Sequence, residues 1–462
     1  MNISIILAAG EGTRMKSKHP KVLHRVCGKP LLKYVIDASR DANMEKSVVV
    51  VGHGSDKVIE SIRDEDVTFV KQPIGEDVPY GTGFAVMQGK EYIADDSCVI
   101  ILYGDTPLIT GDTLNKLIEY HNSRDNVCTV LSADLEDPTG YGRIVRDEAG
   151  EIVSIVEHKD ATSEQLKIKE VNSGMYCFKG KYLRFALDKI DNDNAQGEYY
   201  ITDAVQVLKN QKLKVGVYKI ANQEEIYGIN SRIQLAEAEK IMRNRINQSH
   251  MLNGVTLIDP ENTYIEDSVT IGRDTVVYPG VVIEGDSEIG EDCCLGQNAR
   301  IVNSKIGNNV EILSSTILDS SVNDESKVGP YAYLRPNSHI GKNVKIGDFV
   351  EVKNSTIGDN SKASHLSYIG DAEVGRNVNI GCGVVFVNYN GKIKQKSVVE
   401  DNAFVGSNSN LVAPVVVKEY GYVAAGSTIT DEVGRGNLSI ARARQVNKEG
   451  WVFDKGILDK NK

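Results

Sequence analysis

From about residue 251 onward, aliphatic residues return every six positions. Ile265, Ile271, Val277, Ile283, Ile289, Leu295 and Ile301 form one run. Ile340, Ile346 and Val352 form a second, and Val405, Leu411, Val417, Val423 and Ile429 a third. Glycine often follows the aliphatic residue, as at Ile271-Gly272, Ile346-Gly347 and Ile380-Gly381. Neither a helical period nor the simple alternation of a hairpin sustains that spacing. A hexapeptide solenoid does: each face sends one aliphatic side chain into a shared core, and the next face turns a corner. Small slips, from Ile346 to Ile357 or Ile369 to Val374, are expected in natural repeats. Two stretches are expected to loop out of the coil, "VNYNGKIKQKSV" between Val387 and Val398 and the stretch around "VNDESKVGPYAY".

The first half has another rhythm. "ISIILAA" is followed by "LLKYVIDASRDA", "SVVVV" by "SDKVIESI", and "CVIILYG" by "DTLNKLIEYH". Short continuous apolar runs separated by helical patterns predict a parallel sheet covered on both faces. The alternation holds to about residue 135, loosens into "GRIVRD" and "EIVSIVEH", and returns to helix near Tyr199–Leu208. Residues 231–247 contain neither Gly nor Pro and predict one helix joining the halves. The resulting division is 1–230, a linker helix over 231–250, a solenoid over 251–447 and a tail over 448–462 in which Trp451 suggests a docking point.

A chain of 462 residues accommodates two such cores. Its net charge of −11 argues against a general nucleic-acid or anionic-membrane surface, so an anionic substrate must meet locally placed cations. The seven cysteines include the adjacent pair Cys293-Cys294 and no CxxC spacing, which predicts reduced thiols rather than a disulfide framework or a zinc site. No basic leader precedes the short N-terminal apolar run, and no run approaches the roughly 20 residues of a membrane span. The expectation is a soluble cytoplasmic protein.

Within "IILAAGEGTRMKSKHPKVLH", glycines follow a strand and let backbone N–H groups approach phosphate oxygens. Met15 stands where a dinucleotide fingerprint has its third glycine, so the glycines alone are a weak signal. Arg14 and Lys21 supply the guanidinium and ammonium that a polyphosphate needs, or else are ordinary surface charge. Asp105, in "ILYGDTPL", follows a buried strand at the sheet edge where ligands bind in open α/β folds. It could hold Mg²⁺ against phosphate oxygens, or cap a turn.

"LAAGEGTRM…PKVLH", "YGDTPL", "DPTGYGRIV", "VEHKDA", "NSGMYCF" and "NAQGEYYITD" resemble the pyrophosphorylase half of a two-site family. That family joins an N-acetylglucosamine-1-phosphate uridylyltransferase to a glucosamine-1-phosphate N-acetyltransferase. The resemblance implies a Rossmann-like α/β nucleotidyltransferase domain followed by a left-handed parallel β-helix. It implies that Leu7, Ala8, Ala9 and Gly10 meet the nucleotide, and that Arg14 and Lys21 bind the triphosphate and stabilise departing pyrophosphate. Gln72, Gly81 and Thr82 would contact the uracil, and Tyr103 and Gly104 would lie by nucleotide and sugar. Gly142, Glu157 and Asn172 would hold the sugar, while Asp105 and Asn230 would carry Mg²⁺. The connection from Gln72 to Gly81, "QPIGEDVPYG", is longer than usual for the family, and Phe84 stands where His is frequent.

A solenoid can be a bare scaffold. "AYLRPNSHIG", "VEVKNSTIG", "SHLSYIGD", "VNIGCGVVFVNYNG", "FVGSNSNLVAP" and "ISIARARQ" instead resemble the acetyltransferase half of the same family. The resemblance makes His365 the general base and has Arg335, Lys353, Tyr368 and Asn379 hold the sugar phosphate. Asn388 and Tyr389 would sit where substrate and acetyl donor meet, and Cys382, Ser407, Ala425 and Arg442 would line the acetyl-CoA side. Glu351 would partner the substrate or His365. Cys382 replaces a common Ala, Asn390 the Asp of "NYDG", and "GVVFV" is more apolar than the usual Thr-containing version. The implied protein is a homotrimer acting on UTP, acetyl-CoA, glucosamine 1-phosphate and N-acetylglucosamine 1-phosphate. The alternatives are a single-activity nucleotidyltransferase on a non-catalytic solenoid and a structural or ice-binding solenoid, which would show regular Thr arrays.

Overall fold

The computed structural model describes residues 1–76, 78–194 and 196–457. The chain divides between Arg243 and Asn244 into two compact units. That division falls inside a helix, Arg232–Leu252, which begins one residue after the helix expected over 231–247 and runs past its end.

In the first unit, strands β1 (Asn2–Ala8), β2 (Lys46–Val51), β3 (Thr68–Lys71), β4 (Cys98–Tyr103) and β5 (Cys128–Asp134) alternate with helices. The hairpin β6 (Arg143–Arg146) and β7 (Ile152–Val156), the long β8 (Glu170–Lys179) and β9 (Val215–Lys219) follow. The sheet order is β9-β5-β8-β4-β1-β2-β3. Successive residues of each strand feed opposite faces, as the pleat requires. Ile5, Val50 and Ile101 join one buried cluster, and Ile6, Val49 and Ile100 the other. Both faces are therefore apolar, which is why these strands read as continuous runs.

The strands up to residue 103 pair in parallel as expected; β8, beyond the stretch where the alternation holds, runs antiparallel to both β4 and β5. After β5 the chain makes the β6–β7 hairpin, and β8 pairs with β6 as it re-enters the sheet. Among the described residues the only helical element between β5 and β8 is the single turn Gln165–Lys167, too short to carry the chain back to the opposite edge. A direct return of this kind can only produce an antiparallel strand.

The second unit is a parallel β-helix of the left-handed type expected. One ladder stacks Ile289, Ile306, Val322, Ile340, Ile357, Val374, Val399 and Val417 at matching register. A second stacks Ile283, Ile301, Ile317, Leu334, Val352 and Ile369. All of these are buried. Corners are made by residues with positive φ, many of them Asn or Asp, such as Asn298 (φ 59°), Asn303 (φ 46°) and Asn343 (φ 51°). Asn and Asp tolerate this region better than most side chains. At Gly285 (φ 64°) a Cβ would stand 1.9 Å from Asn303 Oδ1, so the corner requires glycine.

The segment between strands Val385–Val387 and Ser397–Val399 leaves the coil as expected, closed by an isolated bridge between Tyr389 and Lys394. The stretch around "VNDESKVGPYAY" does not loop out. It forms Ser321–Val322, Lys327–Val328 and Tyr333–Leu334, paired onward to Ile340, Ile346 and Val352. Val322, Val328 and Leu334 keep the six-residue step, and Ser326 and Ala332 are small enough to be buried at the corners. In the tail, a short helix Trp451–Asp454 leaves Trp451 46% exposed, so among the described residues it makes no buried anchor. The end of that tail, 458–462, lies outside the described residues. No helix among the described residues is long and apolar enough to cross a membrane.

Candidate active sites

The carboxyl ends of β1 and β4 lie side by side, with Leu7 paired to Tyr103. Beyond them opens a cleft of about 590 Å³. Leu7, Ala8, Ala9, Gly10, Arg14 and Lys21 form one part of its wall; Gln72, Gly81, Thr82, Tyr103, Asp105 and Asn230 form another. Arg14 rides on a single turn, Thr13–Met15, anchored by the buried Met15. That burial explains why Met replaces the third glycine of the fingerprint. Gly12 (φ 67°) lets the turn close onto Lys21, since a Cβ there would lie 2.7 Å from Lys21 Cβ.

Lys21 Nζ donates to the Asp105 carboxylate and, at 2.9 Å, to Asn230 Oδ1. Two hard oxygens thus already converge on one positive charge. A carboxylate and an amide oxygen, completed by substrate phosphates, are a donor set that suits Mg²⁺. Gln72 is buried, and its Oε1 finds no hydrogen-bond partner among the described residues. An unpartnered acceptor in a cleft wall is suited to an N–H of a bound base. Thr82 Oγ1 accepts from Ile201 N at 3.1 Å, and Gly83 N donates to Tyr199 O at 2.7 Å, which packs "GTG" onto "EYYITD". Phe84 packs beside Tyr199, with ring centroids 6.5 Å apart.

Gly104, Gly142, Glu157 and Asn172 are not in the cleft wall itself. Gly104 N donates to Leu7 O at 2.9 Å and fixes the junction of β4 with β1. The other three form a neighbouring group: Asn172 N donates to Gly142 O at 2.9 Å, and a Cβ on Gly142 would lie 3.4 Å from Glu157 Oε1. Burial pushes the Glu157 carboxyl up, against a hydrogen bond from Thr202. Sequence reasoning missed Tyr80, Tyr141, Ser173 and Glu198 in the wall. Tyr141, Ser173 and Glu198 sit inside quoted motifs but carried no chemistry of their own.

In the solenoid, Phe349, Leu366, Gly383, Asn408 and Gly426 are positive-φ corner residues of successive coils. They are tied by Gly383 N to Leu366 O, Asn408 N to Cys382 O and Gly426 N to Ser407 O, each at 2.8 Å. The residues just before them, Asp348, His365, Cys382, Ser407 and Ala425, therefore form one row along the corner. Arg442 reaches the end of that row, its Cδ 3.9 Å from where a Cβ on Gly426 would stand.

Past the corner, Glu351 and Tyr368 are neighbours on adjacent strands. Arg335 Nη1 donates to Glu351 Oε1 at 2.8 Å. Glu351 is thus not the partner of His365; Asp348 is, with Nδ1 and Oδ1 2.6 Å apart. Asp371, which sequence reasoning left without a role, gathers Lys353 (3.2 Å), Asn354 (2.7 Å) and Asn388 (2.5 Å). Burial opposes its charge, yet hydrogen bonds from Asn354, Lys353 and Asn388 hold its carboxyl below the usual range. Asn388 also donates to Tyr368 Oη at 3.3 Å. Tyr389 is exposed, its Oη donating to Gly391 O at 2.8 Å. Asn390 Oδ1 accepts from the N–H groups of Lys392 and Ile393, both at 3.0 Å, as an Asp could. Asn379 stands level with Lys362 and Phe404, on the face before the corner.

A phosphate-ready cleft at the edge of an α/β sheet, and a histidine-bearing hexapeptide solenoid, together define a two-site transferase. A nucleotidyl transferase family model matches residues 3–223. A bacterial transferase hexapeptide model (six repeats) matches 268–303, and a GMPPB C-terminal domain model matches 319–388. The bifunctional protein GlmU of Clostridioides difficile (strain 630) is 57% identical over 456 residues, 99% of this chain and 98% of its own. The GlmU of Alkaliphilus oremlandii (strain OhILAs) is 58% identical over 457 residues, 99% of each chain. That of Clostridium botulinum (strain ATCC 19397 / Type A) is 52% identical over 460 residues, 99% of this chain and all of its own. The chain belongs to the bifunctional GlmU family.

Proposed function

We propose that the solenoid transfers acetyl from acetyl-CoA to the amine of glucosamine 1-phosphate, and that the first unit joins the product to UTP. The final products are UDP-N-acetylglucosamine, a precursor of bacterial envelope polymers, and pyrophosphate. In the second step a sugar 1-phosphate oxygen attacks the α-phosphorus of UTP, and the bond to the β-phosphate oxygen breaks. Arg14 and Lys21 meet the charge that grows on the departing pyrophosphate, and Gln72, Gly81 and Thr82 hold the uracil. Asp105 and Asn230 would hold Mg²⁺, which would supply further neutralisation of phosphate charge. Glu157, Asn172 and Gly142 hold the sugar beside Tyr103.

In the first step His365 takes a proton as the amine attacks the thioester, a service worth about 10²- to 10⁴-fold. Arg335, Lys353, Tyr368 and Asn379 hold the sugar phosphate, and Asn388 and Tyr389 border the reacting centre. Cys382, Ser407, Ala425 and Arg442 accommodate the acetyl donor. The observation that carries this reading over a scaffold solenoid is the row at the corner: His365 and the residues proposed for the donor fall on one line, beside the Lys353–Asp371–Asn388 cluster.

The assembly is a homotrimer in the cytoplasm. An exposed edge supports packing of further copies: Tyr331 and Phe349 stack with centroids 5.7 Å apart, and Leu366 continues the line. Sedimentation velocity reads the stoichiometry. The two-step reading is tested with glucosamine 1-phosphate, acetyl-CoA and UTP in one vessel. His365→Ala should make no UDP-N-acetylglucosamine there, yet recover it when given N-acetylglucosamine 1-phosphate. Equal output from variant and parent would defeat the reading.

A further inference from the structure

Asp348 and His365 face each other directly across two parallel strands, Lys345–Lys353 and Lys362–Gly370. Each immediately precedes a corner residue, Phe349 (φ 58°) and Leu366 (φ 37°), so both side chains leave the coil at the same edge. Their contact is short, 2.6 Å from Nδ1 to Oδ1. The hydrogen bond from His365 holds the Asp348 carboxyl below its usual range, so Asp348 is an acceptor at neutral pH. An ionised carboxylate has no proton to give; Nδ1 must therefore carry the hydrogen. In the neutral imidazole Nε2 then keeps its lone pair, on a side chain that is 60% exposed. Glu351, the other carboxylate on the same strand, is engaged by Arg335.

We propose that Asp348 is a positioning residue for acetyl transfer, fixing His365 in the tautomer and rotation that present Nε2 to the substrate amine. The proposal rests on His365 being the base. As the amine nitrogen bonds to the acetyl carbon and the coenzyme A thiolate leaves, the amine proton passes to Nε2. The imidazolium so formed donates through Nδ1 to Asp348. The proton then returns from Nε2 to the departing sulfur, leaving His365 as it began. Asp348 stays ionised throughout. A bare surface ion pair of this exposure would do little for folding. Its consequence lies in which nitrogen is free.

The test uses the full-length enzyme and the substitutions Asp348→Asn and Asp348→Glu. Asn is isosteric but offers an N–H toward Nδ1, which favours the opposite tautomer. For Asp348→Asn, kcat for acetyl transfer should fall by about 10- to 10³-fold, part of the total benefit of a positioned base. KM for glucosamine 1-phosphate and acetyl-CoA should stay within about twofold, because neither is held by Asp348. Asp348→Glu should recover part of the loss. A circular dichroism spectrum and a solenoid unfolding transition at parent values report that each variant is folded; Asp348→Ser replaces any variant that is not.

¹⁵N-histidine spectra, with the His365 signals identified by their loss in His365→Gln, should show Nδ1–H in the parent and Nε2–H in Asp348→Asn. An unchanged kcat in Asp348→Asn, or the same tautomer in both proteins, overturns the proposal. Those outcomes leave the base assignment intact if His365→Gln is inactive. A parent protein with no acetyl transfer would defeat the base assignment itself.

Discussion

Gln72→Met separates what the nucleotide cleft does from what the fold needs. The Gln72 side chain is buried and its Oε1 lacks a partner among the described residues. Leaving such an acceptor unpaired costs about 1–3 kcal/mol. Met fills nearly the same volume without the polar atoms, so the variant should gain about 1 kcal/mol once the loss of solvent contact at the amide nitrogen is allowed for. For a unit of this size that is roughly 2–4 °C. The same change removes one hydrogen bond to the base, worth about 0.5–1.5 kcal/mol, so KM for UTP should rise roughly 2- to 12-fold.

Scanning calorimetry without ligand measures the first effect; the transition belonging to the first unit is the one that UTP with Mg²⁺ moves upward. Initial rates of uridylyl transfer measure the second. A lower ligand-free transition together with an unchanged KM for UTP would refute the argument that Gln72 is held unsatisfied for the base.

Asp203 carries a pH signature: burial first, then Asp191 and Asp160, push its carboxyl from 3.8 up to about 6. With the folded value above the unfolded one, its contribution to stability is complete below about pH 4 and lost as pH rises through about 6. Asp203→Asn should therefore unfold at a higher temperature than the parent at pH 8 and at the same temperature near pH 4; a lower value at pH 8 contradicts the sign. Asn390→Asp should keep acetyl transfer within about twofold, because a carboxylate accepts from the same two loop N–H groups. Asn390→Ala should raise KM for both acetyl-transfer substrates, and equal KM values in the two variants would remove the loop from the account. Lys21→Met should slow uridylyl transfer by at least about 10²-fold while acetyl transfer stays at parent rate, and parallel loss of both activities would point to misfolding instead.

The solenoid was legible because its core samples one residue in every face, so periodicity alone reports it. The same rule failed at Val322–Leu334, where the six-residue step persists but the polar run between the aliphatic positions masks it. The direction of β8 was not legible: strand patterning gives two faces and no sense of travel. Site residues were recognisable where neighbours in sequence share a motif, as at Arg14 and Lys21. Asp348 was not, because it meets His365 through the register of stacked coils rather than through any local spacing. Glu351, expected to partner the substrate or His365, lies beyond the corner and accepts from Arg335. Asp371 ends the quoted "SHLSYIGD", yet its role depends on Asn388 arriving from the next coil.

The central claim is that the solenoid is itself a catalyst. Free thiol released from acetyl-CoA by the pure protein, with UTP omitted, tests it directly. The account predicts release that requires glucosamine 1-phosphate and disappears in His365→Ala. No release, with pyrophosphate exchange from UTP intact, would contradict it and leave a one-site nucleotidyltransferase on a β-helical scaffold.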